Sequence, residues 1–450
     1  MNSLASFLIF IIFLSSCSFD NKTGIWEDAS QLKNVKKKEL RKKNLQDVFT
    51  ENKIFEEEQE VNSKIRIEIE RPLKNKYWID KYFSSNNNTP NIYYENKKHL
   101  LSRSSKLSKP SINMDFLFYD DSIISFDKKG KIYIYSINQK KKIFEYYFYK
   151  KKFKKYKKEI NITINDGKIY ASDNLGYVYV IEINSKKLIW AKYFGIPFRS
   201  NIKVVDNRIF LADQDNKLYS IKSSNGDKIW EFATSLTKLK FDFENNILLD
   251  KKNKNLFFLN TNGELYSINY LSQEINWFLN LKTKNSNIDT SLFLGLPLVK
   301  RDNNILVSTG NSLLNYNSLS GSKIWKKNIP LAEKGVLTKN NVFLFTKNNL
   351  LICLDIYTGK IIWSSNIFNQ IKILDKKNLS KKIKKISNLI ITSNEIFLFS
   401  SEGYLLSFDY KNGKINSISR ILKSGLGSRP IFADGHMYLI DKNNRVFKYN

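Results

Sequence analysis

The sequence predicts an all-β fold, an eight-bladed β-propeller built from four-stranded antiparallel blades. Three observations lead to this prediction: a recurring tryptophan, a tight-turn residue fourteen positions before it, and an apolar run on each side of that turn. The copies lie 38 to 54 residues apart, a spacing typical of propellers and other repeat folds. The tryptophans are Trp190, Trp230, Trp277, Trp325 and Trp363, with Phe144 and Ser417 at the equivalent positions of two further copies.

Glycine or asparagine occupies the turn position of every one of these copies. Both residues tolerate a positive φ, so the position predicts a tight hairpin turn. The seven turn residues are Gly130, Gly176, Asn216, Gly263, Asn311, Asn349 and Gly403.

Apolar runs flank each turn and predict the two central strands of a blade. Ile209-Phe210-Leu211 before a turn and Leu218-Tyr219 after it are typical, and apolar groups on both strand faces indicate a sheet packed on both sides. The tryptophan segment adds an outer strand, and a short run such as Pro297-Leu298-Val299 or Pro430-Ile431-Phe432 adds an inner one.

An eighth copy begins near Asn444 and stops at Asn450, before its outer strand. We expect a strand around Leu100 to Leu107 to complete this blade and close the ring, because closure removes exposed strand edges. The propeller is therefore predicted to span residues 98–450.

The repeated tryptophans admit two readings, inter-blade packing or a platform for a stacked ligand. Their recurrence at one phase of the repeat favours packing. The segments ending at Trp230, Trp325 and Trp363 each carry a glycine four residues earlier, and with Leu-Tyr-Ser-Ile at 218–221 and 265–268 they resemble the repeat of pyrroloquinoline-quinone (PQQ) type propellers. That resemblance implies the fold and leaves the activity open.

The N-terminus predicts export and lipidation. Residues 1–16 carry no charge and hold an apolar run too short to span a bilayer, as in a signal peptide. The run ends in Leu14-Ser15-Ser16-Cys17, which resembles a bacterial lipoprotein cleavage box with Cys17 as the acylated residue. Ser18 in place of aspartate favours the outer membrane, facing the periplasm. Residues 17–97 lack the repeat and are rich in Lys, Asn and Glu, which predicts a lipid-anchored, partly disordered tether.

The formal net charge is +31, and Lys150 to Lys158 interleaves lysine with aromatic residues. Such a chain could bind nucleic acid. The export signal and the spread of lysine through loops argue against this, and weak attraction to anionic headgroups is the better expectation.

Catalytic motifs are missing from the sequence. The two histidines, His99 and His436, have no metal-binding spacing, and no nucleophile elbow or phosphate-binding glycine loop occurs. Cys353 lies on a predicted central strand and is expected to be a buried core residue. We predict that the chain is not an enzyme and takes neither cofactor nor metal. In PQQ-dependent dehydrogenases, the enzymatic alternative, a pair of adjacent cysteines covers the quinone and acidic and amide groups hold calcium. Neither pattern is present here.

A lipobox, a polar tether and a propeller of this repeat together resemble the BamB family, and the start of the mature chain resembles its alphaproteobacterial members. The resemblance implies a scaffold lipoprotein of the machinery that assembles outer-membrane β-barrels. Its partners would be a BamA-like barrel subunit, other assembly subunits and unfolded clients. An adaptor of another envelope complex is the remaining alternative.

In that family, loops between mid-propeller blades contact the barrel subunit. The resemblance therefore points to loops after three of the tryptophans here. The candidate contact residues are Ile196, Phe198, Arg199, Leu236, Leu239, Lys240 and Asp289.

Overall fold

Eight four-stranded antiparallel sheets follow one another along the chain, as the repeat predicts. The computed structural model describes residues 18–20, 25–27, 55, 57–61, 66–236, 243–282, 293–374 and 377–450. Residues 57–450 form one compact unit and residues 1–56 another. In the latter, β1 (Ser18–Asp20) pairs antiparallel with β2 (Ile25–Glu27).

The blades are numbered in chain order, and each is given from its innermost to its outermost strand. Blade 1 contains β4 (Leu117–Tyr119), β5 (Ser122–Phe126), β6 (Lys131–Ser136) and β7 (Lys141–Tyr147), and blade 2 contains β8 (Ile160–Asn165), β9 (Lys168–Asp173), β10 (Tyr177–Glu182) and β11 (Leu188–Tyr193). Blade 3 contains β12 (Lys203–Val205), β13 (Arg208–Ala212), β14 (Lys217–Lys222) and β15 (Lys228–Ala233), and blade 4 contains β16 (Asn246–Asp250), β17 (Asn255–Leu259), β18 (Glu264–Asn269) and β19 (Ile275–Asn280). Blade 5 contains β20 (Val299–Arg301), β21 (Asn304–Thr309), β22 (Ser312–Asn317) and β23 (Lys323–Lys327), and blade 6 contains β24 (Val336–Leu337), β25 (Asn341–Phe345), β26 (Leu350–Asp355) and β27 (Ile361–Asn366). Blade 7 contains β28 (Ile386–Thr392), β29 (Glu395–Ser400), β30 (Tyr404–Asp409) and β31 (Ile415–Arg420), and blade 8 contains β32 (Ile431–Ala433), β33 (His436–Ile440), β34 (Val446–Tyr449) and β3 (Leu100–Arg103).

Burial follows position within the blade. The five residues of β17 are all buried, whereas the outer strand β19 alternates between exposed and half-buried residues. The central strands are therefore covered on both faces by neighbouring blades, and the outer strands keep one face in solvent.

The predicted closing strand is present. β3 pairs antiparallel with β34, with Arg103 opposite Phe447. The backbone bonds continue past β3, since the amides of Ser104 and Leu107 each donate at 2.9 Å to the carbonyls of Val446 and Asn444. Blade 8 thus joins the two ends of the ring, and the prediction of an N-terminally closed eighth blade is confirmed.

Residues 75–95, which we call the axial segment, run once around the inside of the ring. This segment bonds to the innermost strand of every blade. The pairs are Asn75 with Phe432, Trp78 with Phe118, Ile79 with Ile164, Asp80 with Lys203, Ser85 with Leu249, Asn86 with Lys300, Asn88 with Leu337 and Ile92 with Ile391.

Most of these bonds use the main chain of the axial segment, and one is a buried ion pair. Lys203 Nζ lies 2.8 Å from Asp80 Oδ2, with the two side chains 1% and 8% exposed. Residues 75–95 carry no repeat and lie within the predicted tether, residues 17–97. The tether and its boundaries remain a prediction. The structure shows in addition that the axial segment contacts all eight blades.

Loops at one end of the ring link the outermost strand of each blade to the innermost strand of the next. We call this end the connection face, and it also holds the turns between the second and third strands of each blade. The opposite end, the turn face, holds the other two turns of each blade. The connection from blade 6 to blade 7 contains two helices, α1 (Ile367–Ile373), capped by the side chain of Asn366, and α2 (Lys377–Lys382). Within the described residues, no helix is long and apolar enough to cross a membrane.

Candidate partner-binding face

The predicted contact residues that the structure describes all lie on the connection face. Leu236 follows β15 and is 75% exposed. Ile196 and Arg199 follow β11 and are half-buried. Leu239, Lys240 and Asp289 lie outside the described residues, as does the predicted lipidation site Cys17.

Phe198 has a different environment from its neighbours in this loop. It is buried and packs edge-on against Tyr219 and Phe194, with ring centroids 5.8 and 5.4 Å apart. The loop backbone is fixed on both sides of Arg199, whose amide donates to Ala212 and whose carbonyl accepts from Asn245, each at 3.0 Å. Phe198 therefore anchors the loop, and Ile196 and Arg199 hold its accessible surface.

Exposed apolar side chains also occur on other connections of the same face. Leu294, before blade 5, is 54% exposed, and Ile373, at the end of α1, is 81% exposed. Met114 and Leu374 are exposed as well. These residues are not among those predicted from the sequence. For Ile373 and Leu374 the sequence does contain a signal, since the 54-residue spacing from Trp363 to Ser417 is the longest in the repeat and indicates an insertion. The structure shows that this insertion is helical.

A funnel opens at the centre of the connection face and ends on the axial segment. It encloses about 210 Å³ and is lined by Trp78 and Tyr82 below and by Phe116, Glu333 and Arg429 around it. The axial segment forms the floor, so the funnel is a blind pocket.

The charged groups of the funnel pair with one another. Arg429 Nη1 lies 3.1 Å from Asp115 Oδ1, and Lys81 Nζ lies 3.5 Å from Asp115 and 3.6 Å from Glu244. The Asp115 carboxylate raises the pKa of Arg429 despite burial. Burial lowers the pKa of Lys81, but Tyr82, Asp115 and Glu244 outweigh it and leave that pKa above the ordinary value. Coulomb attraction across a partly desolvated site explains both directions.

Glu333 and Lys334 form the wall of the funnel contributed by blade 6. Glu333 accepts the backbone N–H groups of Asn388 and Leu389 at 2.8 Å each, yet burial still raises its pKa. Burial, together with the nearby Arg429 and Lys203, lowers the pKa of Lys334 to about 8 in spite of Glu333. For these two groups burial outweighs the opposite charges nearby, so the funnel wall at blade 6 favours their neutral forms.

Residues with metal-binding or nucleophilic side chains are not gathered at the funnel. Within the described residues, no group of three or more His, Cys, Asp or Glu side chains is placed to hold a metal ion. Cys353 is buried in β26, where burial raises the pKa of its thiol. His436 begins β33 at the turn face, and burial lowers its pKa.

The repeated tryptophans lie between neighbouring blades. Four of them donate an indole N–H to a carbonyl of the next blade: Trp190 to Ser223 at 2.9 Å, Trp277 to Ser318 at 3.1 Å, Trp325 to Ile356 at 2.7 Å and Trp363 to Tyr410 at 3.1 Å. The exception is Trp230, whose buried indole nitrogen has no hydrogen-bond partner among the described residues. The equivalent carbonyl, that of Tyr270, lies 3.5 Å from Arg208 Nη1.

Comparison with known proteins matches the middle of the chain to one family. The family profile described as "Outer membrane protein assembly factor BamB" matches residues 149–365, which cover blades 2 to 6. An uncharacterised Rickettsia conorii protein, RC0314, is 23% identical over 411 residues, 86% of this chain and 90% of that protein. BamB of Moranella endobia is 21% identical over 47% of this chain, and BamB of Escherichia coli is 20% identical over 36%. The chain spans only 51% and 37% of the lengths of those two proteins.

Solved structures with the same fold include a BamB and a quinohemoprotein alcohol dehydrogenase. BamB of Moraxella catarrhalis superposes with a TM-score of 0.61 at 10% identity, covering 78% of this chain and 99% of that one. A quinohemoprotein alcohol dehydrogenase from Comamonas testosteroni gives 0.62 at 10% identity over 83% of this chain and 80% of that one. At such identities the likeness concerns the fold alone. The chain is a β-propeller with PQQ-type repeats. Within that class, its repeats are BamB-like.

Proposed function

We propose that the chain is a non-enzymatic scaffold lipoprotein of the outer-membrane β-barrel assembly machinery. It would be anchored in the outer membrane through Cys17, face the periplasm, and dock on the periplasmic domains of a BamA-like barrel subunit with its connection face. The observation that carries the proposal is the position of the family match, since residues 149–365 include the connections that hold Arg199, Leu236 and Leu294.

Exposed apolar surface supports docking at this face. Leucines and isoleucines that project from fixed loops stabilise a protein interface when a partner covers them. The neighbouring Arg199 would supply a directional polar contact at the edge of such an interface, as arginine does in many protein complexes.

Strand addition to an outer blade edge supports a role in holding extended clients. Gln59 pairs with Ser364 of β27 through two backbone bonds, Gln59 N to Ser364 O at 3.0 Å and Ser364 N to Gln59 O at 3.1 Å. An outer edge of this propeller thus accepts an extended peptide, and client segments would bind other edges by the same bonds.

The quinone-enzyme alternative fits the described residues poorly. Residues 75–95 line the inside of the ring and leave a funnel of about 210 Å³ that is lined by paired charges. The sequence holds two cysteines, Cys17 and Cys353, far apart along the chain, so the adjacent cysteine pair of the quinone dehydrogenases is not available. We therefore assign no cofactor chemistry to this chain.

Affinity purification from mildly solubilised native envelope tests the proposal. The wild-type chain should recover the barrel subunit in stoichiometric amount, and Arg199→Glu should weaken that recovery, whereas Lys187→Glu on the turn face should not. Recovery of a different envelope complex, or of a bound quinone, would overturn the scaffold assignment. Separately, Cys17→Ala should abolish acylation, so the acylated N-terminal peptide expected in the wild-type chain by mass spectrometry should be absent from the variant.

A further inference from the structure

The connection from blade 1 to blade 2 is the most basic loop for which every backbone position is described. Seven of the nine residues from Lys150 to Lys158 are lysine. The adjacent turn of blade 1 adds Lys128 and Lys129. At the same turn of blades 2 and 3, the corresponding pairs are Asn174-Leu175 and Gln214-Asp215. The loop and this turn together form one basic sector of the connection face, which we call the lysine sector (Lys128, Lys129 and Lys150–Lys158).

Aromatic residues fix the shape of this loop from below. Tyr149 is buried, donates from its hydroxyl to Asp173 at 2.6 Å and contacts Gly130, where an added Cβ would lie 2.4 Å from its ring. Phe148 stacks on Tyr179 with ring centroids 4.8 Å apart, and Phe153 meets Tyr177 edge-on. Phe148, Tyr149 and Phe153 therefore anchor the loop on blades 1 and 2.

One lysine serves the loop itself. Lys158 is buried, donates to the carbonyl of Phe153 and lies 5.2 Å above the Tyr149 ring. Lys151, Lys154 and Lys155 are exposed. Within the described part of the chain, the ion pair found on this loop joins Lys157 to Glu159 at 2.6 Å. Within the described residues, Lys151, Lys154 and Lys155 therefore present exposed positive charge outside that ion pair.

A groove beside the loop combines this charge with exposed aromatic surface. It encloses about 710 Å³ and is lined by Lys109, Lys129, Lys151, Lys154 and Tyr147. Tyr156, at the crest of the loop, is 61% exposed. Lysine with exposed tyrosine is the combination found where proteins meet the headgroup layer of a membrane, because the ring lies among headgroups while the ammonium group binds phosphate.

We propose that the lysine sector binds the surface of a bilayer that contains anionic phospholipids. Lysine ammonium groups would pair with headgroup phosphates, and Tyr156 would lie at the headgroup level. The proposal concerns blade 1 and does not depend on the partner proposed for blades 2 to 6. Its consequence is a second membrane contact, which would orient the connection face toward the bilayer.

Vesicle co-sedimentation of the full chain carrying Cys17→Ala tests this proposal without an acyl anchor. The measured quantity is the difference in binding between vesicles of phosphatidylcholine alone and vesicles that also contain phosphatidylglycerol. We expect preference for the anionic vesicles, weakening as salt is raised. Since a surface lysine contributes roughly fivefold to such binding, the triple variant K151E/K154E/K155E, which reverses three charges, should lose at least on the order of a hundredfold.

Matched variants separate local from overall charge. K187E/K251E/K252E makes the same charge change at exposed lysines of the turn face and should keep most of the binding. K151R/K154R/K155R keeps the charge and should bind like wild type, which also shows that the loop tolerates substitution. An equal loss in the turn-face variant, or no preference for anionic vesicles, would overturn the proposal. So would a labelled oligonucleotide whose binding needs these lysines while vesicle binding does not.

Discussion

At the scale of single residues, the ring depends on a tryptophan of one blade packing on a glycine turn of the next. Cβ atoms added to Gly226, Gly321, Gly359 and Gly413 would lie 2.4 to 2.9 Å from the rings of Trp190, Trp277, Trp325 and Trp363. Each glycine also has a positive φ, between 66° and 74°. These positions therefore require glycine for two reasons, backbone conformation and close approach.

The two reasons can be separated by comparing Gly413→Ala with Gly195→Ala. Both sites have positive φ, 68° and 79°, but Gly195 has no atom within 4 Å of an added Cβ. Backbone strain alone should cost Gly195→Ala about 1–2 kcal/mol. Gly413→Ala should cost about 1–3 kcal/mol more, because Trp363 is fully buried and cannot move away. Chemical denaturation measures both values, and equal losses would contradict the packing role of Trp363.

Lys334 predicts a pH dependence of stability at the same scale. Its folded pKa of about 8 lies below the ordinary value of 10.5, so the unfolded chain binds more protons between these two values. Stability should therefore rise with pH across that window. Lys334→Met should remove the Lys334 contribution and so make the profile less steep, whereas Lys326→Met, at an exposed lysine, should leave the profile unchanged. Denaturation midpoints across the window measure the difference, and a Lys334→Met profile parallel to wild type would refute the assignment.

At the scale of elements, the axial segment connects all eight blades although it belongs to none of them. Its buried Asp80 pairs with Lys203 of blade 3, while Ile79 bonds to Ile164 of blade 2 at 2.8 Å. Because single bonds to separate blades cannot hold a peptide alone, the segment depends on all of them together. Trp78 and Tyr82, the residues of the axial segment that form the floor of the funnel, are held in place by the same bonds.

Asp80→Ala should weaken this segment along its length. Removing one partner of a buried ion pair leaves Lys203 charged and unpaired, at a cost of about 3–5 kcal/mol. Hydrogen exchange at the Ile164 amide should then become faster, since that amide bonds to Ile79. Asp250→Ala is the control, because Asp250 pairs with Lys300 at 2.8 Å with similar burial but lies away from Ile164. Unchanged protection of Ile164 in Asp80→Ala would show that Asp80 does not hold the axial segment.

The blades could be predicted from sequence because their signals are local and repeated. Gly403 and the apolar run around Leu405 lie within a few residues of one another, and seven other copies repeat the pattern. The axial segment could not, because Ser85 and Asn86 each contribute a backbone bond to a different blade and show no period. Arg199 is predicted through a family resemblance, and the burial of Phe198 beside it depends on Tyr219 of β14, a contact that one sequence does not reveal.

At the scale of the whole molecule, the two ends of the ring differ in the length of their loops. The connection face carries the exposed Leu236 and Leu294, the helical connection with Ile373 and the lysine sector. The turn face is formed by short turns, such as those at Leu319 and Tyr357. A scaffold that docks by the connection face leaves the turn face in solvent. We therefore expect the partner to contact the connection face and not the turn face.

Site-specific photocrosslinking in living cells tests that claim most directly. A photoreactive amino acid at Leu236 or Leu294 should give a product with the barrel subunit, identified by mass spectrometry. The same residue at Leu319 or Tyr357, which are 48% and 60% exposed on the turn face, should give none. Products from the turn face alone, or no product with the barrel subunit from either face, would contradict docking by the connection face.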